Sequence, residues 1–201
     1  MSEKVEGDAP DVMNTDEALM LEFQRGSRPA FEELYARYQG PLYGFFRRRL
    51  DSPERAEDLA QETFLVVIRG ASRYQPRSLV RTYLYAIALK LLANERRKRR
   101  DAAANETTGP DVPPAHETAL WIREALGQLD ASEREILMLR EYEQLSYIEI
   151  SELLRLPVNT VRSRLFRARM ALKEKLLAQR ASSQPLIAAV ERPANPAAEE
   201  A

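Results

Sequence analysis

A basic, amphipathic segment near the C-terminus carries the side chains best suited to binding a ligand. Its apolar residues recur at helical spacing and predict one buried stripe, made of Val161, Leu165, Ala168 and Leu172. The opposite face and its edges carry polar, cationic and aromatic groups: Asn159, Thr160, Arg162, Ser163, Arg164, Phe166 and Arg167. Arginine can bind guanine with two hydrogen bonds or hold a phosphate, and short polar groups can reach base edges. The segment therefore predicts a nucleic-acid contact.

The residues before this segment predict the element that would position it. Ser146 and Glu149 have the spacing of a capping box for a short helix that ends near Leu154. A tight break at Arg155-Leu156-Pro157 follows, and the basic helix begins directly after it. A short helix, a turn and a second helix that is basic from its first turn indicate a helix-turn-helix, which places its second helix in the major groove. The alternative is an ordinary amphipathic helix with a solvated basic face.

Other kinds of chemistry lack the residues they need. The 201-residue chain has no cysteine, which excludes a disulfide framework, a thiolate metal site and a cysteine nucleophile. Its one histidine, His116, lies in an acidic, proline-containing stretch where solvent exposure is the simplest expectation. The sequence shows no Gly-rich phosphate loop, no cluster of metal ligands and no Ser/His/Asp set. We therefore expect neither enzymatic activity, nor a metal, nor a cofactor.

Charge is unevenly distributed along a chain whose net charge is only −1. The N-terminal segment is acidic, whereas residues 96–100 (RRKRR) and 162–175 are basic. The net charge averages over these segments. The local charge of a surface, however, determines which partners it attracts. No run of apolar residues reaches the ~18 needed to span a membrane, and the N-terminus lacks the apolar core of a signal peptide. We expect a cytoplasmic protein without membrane insertion.

Helix start and stop signals recur along the chain, with almost no strand signal. N-cap residues precede the predicted helices at Thr15, Ser27 and Ser52, and Ser132 to Glu135 form a capping box that begins another helix. The sequence predicts an all-α fold of two small helical domains joined by a flexible linker, the C-terminal one a helix-turn-helix. The predicted segments are an acidic extension over 1–14, a first domain over 15–100, a linker over 101–116, a second domain over 117–178 and a disordered tail over 179–201.

The second domain resembles a known family. Residues 144–169 (QLSYIEISELLRLPVNTVRSRLFRAR) resemble the C-terminal pattern "GLSYxEIAxxLGxPxGTVxSRLxRAR" of the extracytoplasmic-function (ECF, group IV) sigma factors of the sigma-70 family. In that family this domain reads the −35 promoter element. The resemblance thus assigns duplex −35 DNA as the partner of the exposed residues from Asn159 to Arg167.

A second family segment lies in the first domain. Residues 56–64 (AEDLAQETF) resemble the "AEDLxQExF" segment through which these proteins bind core RNA polymerase. By helical spacing, Leu59 and Phe64 fall on the apolar side, and Asp58, Gln61 and Glu62 share an outward arc. The resemblance implies that these five residues bind polymerase; a solvated helix face is the alternative for the polar three.

A third segment follows the same family order. Residues 81–88 (RTYLYAIA) resemble the "FRxWLYRIARN" segment, which together with the loop before it captures the unpaired −10 strand. Melted bases need aromatic stacking surfaces, and the displaced backbone needs cations. The candidate residues for this contact are Tyr74, Arg77, Ser78, Arg81, Tyr83, Lys90 and Arg97. The tyrosines can equally be core residues.

Some positions depart from the family pattern. Arg155 stands where glycine is usual in the helix-turn-helix, and a positive φ there costs arginine more than glycine. Ser151 replaces a usual alanine and Tyr83 a usual tryptophan. We therefore expect the turn at Arg155 to be strained or differently shaped.

The sequence as a whole predicts a sigma factor that binds core polymerase and promoter DNA, and the resemblance implies an anti-sigma factor as a further partner. The main alternative is another helix-turn-helix regulator that does not bind core polymerase. Such a regulator shares the C-terminal motif but has no reason to carry the segment from Asp58 to Phe64.

Overall fold

A computed structural model describes residues 15–76, 78–103, 122 and 124–190, without the side chains of 102–103 and 179–190. Within these residues all of the regular secondary structure is helical, which confirms the predicted all-α class. The chain divides into two compact units with the main boundary between residues 113 and 114, inside the segment predicted as a linker. Residues 1–14, 104–116 and 191–201 lie outside the described residues.

The first unit contains four α-helices. They are α1 (Asp16–Gln24), α2 (Arg28–Arg47), α3 (Pro53–Gly70) and α4 (Val80–Ala103), with a short 3-10 turn at Ala71–Arg73. The side chains of Thr15, Ser27 and Ser52 each accept a backbone N–H of the following helix, which confirms the three predicted N-caps. Helix α4 continues to Ala103, so the first three residues predicted as linker are helical.

The core of the first unit forms where α2 packs against α1 and α3, and α3 against α4. Phe45, Phe46 and Leu42 are fully buried. The rings of Phe31 and Phe64 meet edge to face, with their centroids 6.2 Å apart. On α4 the buried stripe consists of Leu84, Tyr85, Ala88 and Leu92, whereas Ile87 and Leu91 are half-exposed. Ile68 of α3 is 47% exposed although its side chain is apolar.

A partly buried ion-pair network joins the beginning of α3 to the end of α4. Arg55 donates to Glu95 at 2.8 Å, and Arg99 lies 3.4 Å from the other oxygen of the same carboxylate. The pKa of Glu95 is lowered, first by the hydrogen bond from Arg55. The network fixes the C-terminal half of α4 against α3.

The second unit contains α5 (Ala131–Glu141), α6 (Tyr147–Leu154) and α7 (Val158–Val190), preceded by a helical segment at 124–127. Asp130 caps α5 by accepting from the backbone N–H of Ser132 at 2.8 Å and of Glu133 at 3.4 Å. The expectation that Ser132 is the N-cap was wrong, because the Asp130 carboxylate accepts both N–H groups. Ser132 instead donates its hydroxyl to that carboxylate.

Helix α7 runs twelve residues beyond the expected end of the domain at Ala178, as far as Val190. The backbone of residues 179–190 is thus helical, and disorder of the tail from residue 179 stays a prediction. Seven of these twelve residues are Ala, Gln, Leu or Arg, which favour a helix, whereas Pro185 and the two serines do not.

Candidate nucleic-acid interface

The turn between α6 and α7 is a left-handed helix end. Arg155 has a φ of 53°, the N–H of Leu156 donates to the carbonyl of Ser151 at 3.0 Å, and the N–H of Arg155 to that of Glu152 at 3.3 Å. This is the Schellman pattern, which usually has glycine at the left-handed position. The expected unusual backbone at Arg155 is thus confirmed. Ser151 adds a further bond, since its hydroxyl donates to the carbonyl of Leu156 at 2.6 Å.

A second residue with a left-handed backbone lies just before α6, and the sequence analysis did not predict it. Gln144 has a φ of 56°. The family pattern has glycine at this position too. That glycine was the signal from which the left-handed backbone of Gln144 could have been predicted. The side chain of Gln144 donates to the carbonyl of Glu141 at 2.7 Å, and Arg140 donates to the carbonyl of Leu145 at 2.9 Å. Both bonds hold the loop that orients α6.

The predicted capping box at the start of α6 is confirmed. The N–H of Ser146 donates to the Glu149 carboxylate at 2.8 Å, and the N–H of Glu149 donates to the Ser146 hydroxyl at 3.2 Å. Glu149 is only 5% exposed, so its charge is used within the fold. Helix α6 is therefore fixed at both ends by side chains close to it in sequence.

Helix α7 presents the predicted polar face to solvent. Val161, Leu165 and Ala168 are buried, and Leu172 is half-exposed. The residues predicted to contact DNA divide into an exposed group, Asn159, Arg162, Ser163, Phe166 and Arg167, and a half-exposed pair, Thr160 and Arg164. Phe166 is 65% exposed, which is unusual for a large apolar ring and leaves it free to contact a thymine methyl or a sugar.

Two arginines of this helix are paired with carboxylates of α5. Arg167 donates to Glu133 at 3.0 Å and Arg169 to Glu141 at 2.7 Å. The pKa of Arg169 is raised, chiefly by its hydrogen bond to Glu141. The sequence did not predict these pairs, because the partners are 34 and 28 residues apart. They orient the two guanidinium groups and neutralise part of the basic face.

On α3 the structure separates the predicted polymerase-binding residues into two groups. Asp58, Gln61 and Glu62 are exposed, whereas Leu59 and Phe64 are 1% and 4% exposed. The exposed arc continues with Leu65 and Ile68, each 47% exposed, which sequence reasoning did not include. This face thus combines polar groups with apolar ones, as protein-binding surfaces do.

The residues predicted for the −10 contact are spread over the loop 74–79 and α4. Lys90 and Arg97 are exposed on one side of α4, and Ser78, Arg81 and Tyr83 are half-exposed. Tyr74 is only 6% exposed, and burial raises its pKa to about 12. Its ring packs 5.3 Å from that of Tyr83 and so is not offered to a base here. Tyr85 is likewise buried, and Arg77 lies outside the described residues.

The second unit also contains an apolar groove of about 410 Å³. It is lined mainly by α5, α7 and the segment before α5: Ile122, Leu126, Leu137, Met138, Tyr142, Leu172, Leu176 and Leu177. Ile122, Tyr142 and Leu177 are 38%, 46% and 55% exposed.

In the described part of the chain, no helix has the length and apolarity needed to cross a bilayer. The same residues include no group of three or more acidic or histidine side chains that could hold a metal ion.

Comparison with known proteins places both units in one family. The family model for sigma-70 region 2 matches residues 34–102, and that for sigma-70 region 4 matches residues 119–172. The RNA polymerase sigma-H factor of Pseudomonas aeruginosa is 32% identical over 180 residues, covering 80% of this chain and 93% of that protein. The chain belongs to the sigma-70 family of RNA polymerase sigma factors.

Further relatives show to which group of sigma-70 family proteins the chain belongs. The ECF sigma-E factor of Haemophilus influenzae is 31% identical over 184 residues, covering 81% of this chain and 95% of that protein. The solved structure of CnrH in complex with the cytosolic domain of CnrY has a TM-score of 0.66 and 28% identity, covering 81% of this chain and 97% of that one. The sigma factor is thus of the ECF type: it binds core RNA polymerase and directs initiation at specific promoters. This finding favours the main prediction over a regulator that does not bind polymerase.

Proposed function

We propose that the exposed face of α7 reads the duplex −35 element of the promoter. The observation that carries this proposal is the solvent-facing group from Asn159 to Arg167, which begins in the first turn of a helix fixed by the turn at Arg155. Asn159, Arg162 and Ser163 are nearest the helix N-terminus, the end that enters the major groove in a helix-turn-helix. Arg167 supplies a further cation and Phe166 an apolar contact.

Run-off transcription with core polymerase tests this assignment. Arg162→Ala should lower initiation at a promoter with a matched −35 element by roughly tenfold, the cost of one good base contact. Affinity for core polymerase should be unchanged. Lys173→Ala removes an exposed cation further along the same helix and is the matched control. An equal loss with a scrambled −35 element would show that Arg162 contacts no base.

We propose that the exposed face of α3 binds core polymerase through Asp58, Gln61 and Glu62, with Leu65 and Ile68 completing the contact. Buried Leu59 and Phe64 support this face from the core. Asp58→Ala combined with Gln61→Ala should weaken core binding without changing the melting temperature. Glu32→Ala, an exposed carboxylate on α2, is the control. Full core affinity in the double variant would contradict the assignment.

We propose that the loop 74–79 and the exposed side of α4 capture the unpaired −10 strand. Lys90 and Arg97 lie seven residues apart in α4, on one side of the helix, where they can follow a strand backbone. Tyr83 is the aromatic side chain of this set with exposed surface, and Tyr74 supports it from beneath. Lys90→Ala should reduce binding of the holoenzyme to a single-stranded −10 oligonucleotide and make that binding less sensitive to salt. An unchanged salt dependence would contradict the contact.

We also propose that an anti-sigma factor binds this protein and that the apolar groove of the second unit is part of its site. The support is the groove's exposed leucine and isoleucine side chains and the likeness to CnrH, solved with the cytosolic domain of CnrY. Ile122→Asp with Leu177→Asp should raise promoter activity in the native cell while purified run-off activity stays unchanged. Loss of run-off activity would instead assign the groove to polymerase.

A further inference from the structure

The loop 74–79 is tied to α1 at both of its ends. At its beginning, the side-chain amide of Gln24 donates to the carbonyl of Ala71 at 2.5 Å and to that of Tyr74 at 2.8 Å. At its end, the N–H of Val80, the first residue of α4, donates to the carboxylate of Glu17 at 3.0 Å. Two side chains of one nine-residue helix therefore hold both ends of a segment about 50 to 60 positions away in sequence.

A brace inside the loop completes this arrangement. The hydroxyl of Tyr74 donates to the carbonyl of Ser78 at 3.0 Å, across the width of the loop. Because the Tyr74 ring is buried against Tyr83, the brace is anchored in the core rather than at the surface. The loop backbone thus has defined hydrogen-bond partners at Tyr74, Ser78 and Val80.

Helix α1 is itself fixed on α2 and can serve as a rigid support. The Asp16 carboxylate accepts from Arg37 at 2.8 Å and from the hydroxyl of Tyr38. The pKa of Tyr38 is raised by burial and by its bond to Asp16, so this hydroxyl stays protonated as a donor. The consecutive carboxylates of Asp16 and Glu17 therefore connect α1 to different helices, α2 and α4.

We propose that α1 sets the loop conformation that captures the unpaired −10 strand, with Gln24 and Glu17 as positioning residues. The proposal rests on the assignment of the loop to the −10 element made above. A surface held in its binding geometry before DNA arrives loses less conformational entropy on binding than a loop that must order. Gln24 and Glu17 contact the loop backbone and α4, so they act on DNA only through the geometry of the loop.

The test uses the full chain reconstituted with core polymerase and a fork-junction DNA whose −10 non-template strand is unpaired. Gln24→Ala and Glu17→Ala should weaken fork binding about five- to tenfold, as expected when one or two net hydrogen bonds no longer preorganise the loop. Gln24→Glu, which cannot donate to the two carbonyls, should be at least as weak. Glu17→Gln keeps a carbonyl acceptor for the Val80 N–H and should restore most of the affinity. Glu22→Ala removes a half-exposed carboxylate from the same helix and should have no effect.

Four outcomes distinguish a failure of this proposal from a failure of the −10 assignment on which it rests. Fork affinity that is unchanged in Gln24→Ala overturns it, and so does an equal loss of core affinity, which would indicate general destabilisation. The loop itself is tested by Gln75→Ala with Leu79→Ala, two exposed loop side chains. If that variant binds the fork normally, the assignment of the loop to the −10 strand is wrong. If it fails to bind while Gln24→Ala binds normally, only the positioning role is wrong.

Discussion

Replacing Arg155 with glycine should stabilise the helix-turn-helix, because this arginine has a left-handed backbone conformation with a φ of 53°. For a residue with a Cβ that conformation costs about 1–2 kcal/mol. Glycine removes the steric cost but gives back about 0.5–1 kcal/mol through the greater freedom of the unfolded chain. The expected net gain is about 0.5–1 kcal/mol in the free energy of local unfolding.

Hydrogen exchange measured on peptides spanning α6 and α7 reports this free energy directly. At fixed pH and temperature, exchange in Arg155→Gly should slow about two- to fivefold, the factor that corresponds to 0.5–1 kcal/mol. Arg155→Ala removes the same exposed side chain but keeps the Cβ, so it should give no such protection. A second control, Glu152→Gly in the middle of α6, should speed exchange because glycine weakens a helix interior.

Two results would refute this reasoning. Equal protection in Arg155→Gly and Arg155→Ala would mean that the side chain, not the backbone conformation, was unfavourable. Faster exchange in Arg155→Gly would mean that the arginine stabilises the turn through contacts that outweigh its strain. The two hydrogen bonds between Ser151 and Leu156, one donated by each residue, should persist in either case, since they depend on the path of the backbone.

Four further predictions concern ion pairs and exposed side chains. Glu133→Gln releases Arg167, so duplex DNA should bind a few-fold more tightly with a steeper salt dependence; an unchanged salt slope would show that the pair does not compete with phosphate. Arg55→Ala should lower the stability of the first unit by about 1–3 kcal/mol in urea denaturation, whereas no change would make the pair incidental. Because the pKa of Glu95 is lowered on folding, its stabilisation should be complete above about pH 4.3 and be lost as pH falls through the folded pKa, and Glu95→Gln should flatten that acid limb. Phe166→Ala should reduce −35 binding yet leave the melting temperature within about 1 °C, because the ring is 65% exposed.

Local signals predicted the fold well because the physics of helix ends is local. The N-caps at Ser27 and Ser52 and the capping box from Ser146 to Glu149 depend on residues two to four apart, and the structure has all three. Asp130 was overlooked because aspartate and serine are both good caps, and only the geometry decides which oxygen accepts the free N–H groups. Helix α7 continues to Val190 although the tail as a whole is rich in Ala, Pro and Glu, a composition that favours disorder.

The sequence predicted which sides of the helices are exposed at the candidate interfaces, but it did not predict which side chains contact one another there. Helical spacing correctly predicted that Gln61 is exposed and Leu59 is buried. Apolar residues that recur every three or four positions lie on one side of a helix, and that side packs against the core. It could not show that Tyr74 is a core residue, because a tyrosine suits a base stack and a protein core equally well. Nor could it pair Gln24 with the loop before α4, since that contact joins elements far apart in sequence.

The carboxylates that face the arginines of α7 have a consequence for how strongly the free protein binds non-promoter DNA. A chromosome offers on the order of a million or more competing non-specific sites, and a fully basic helix would be sequestered on them. With Arg167 and Arg169 already satisfied by Glu133 and Glu141, each non-specific encounter releases fewer counterions and is correspondingly brief. Less of the unassembled protein is then held on non-promoter DNA, and more is available to bind core polymerase.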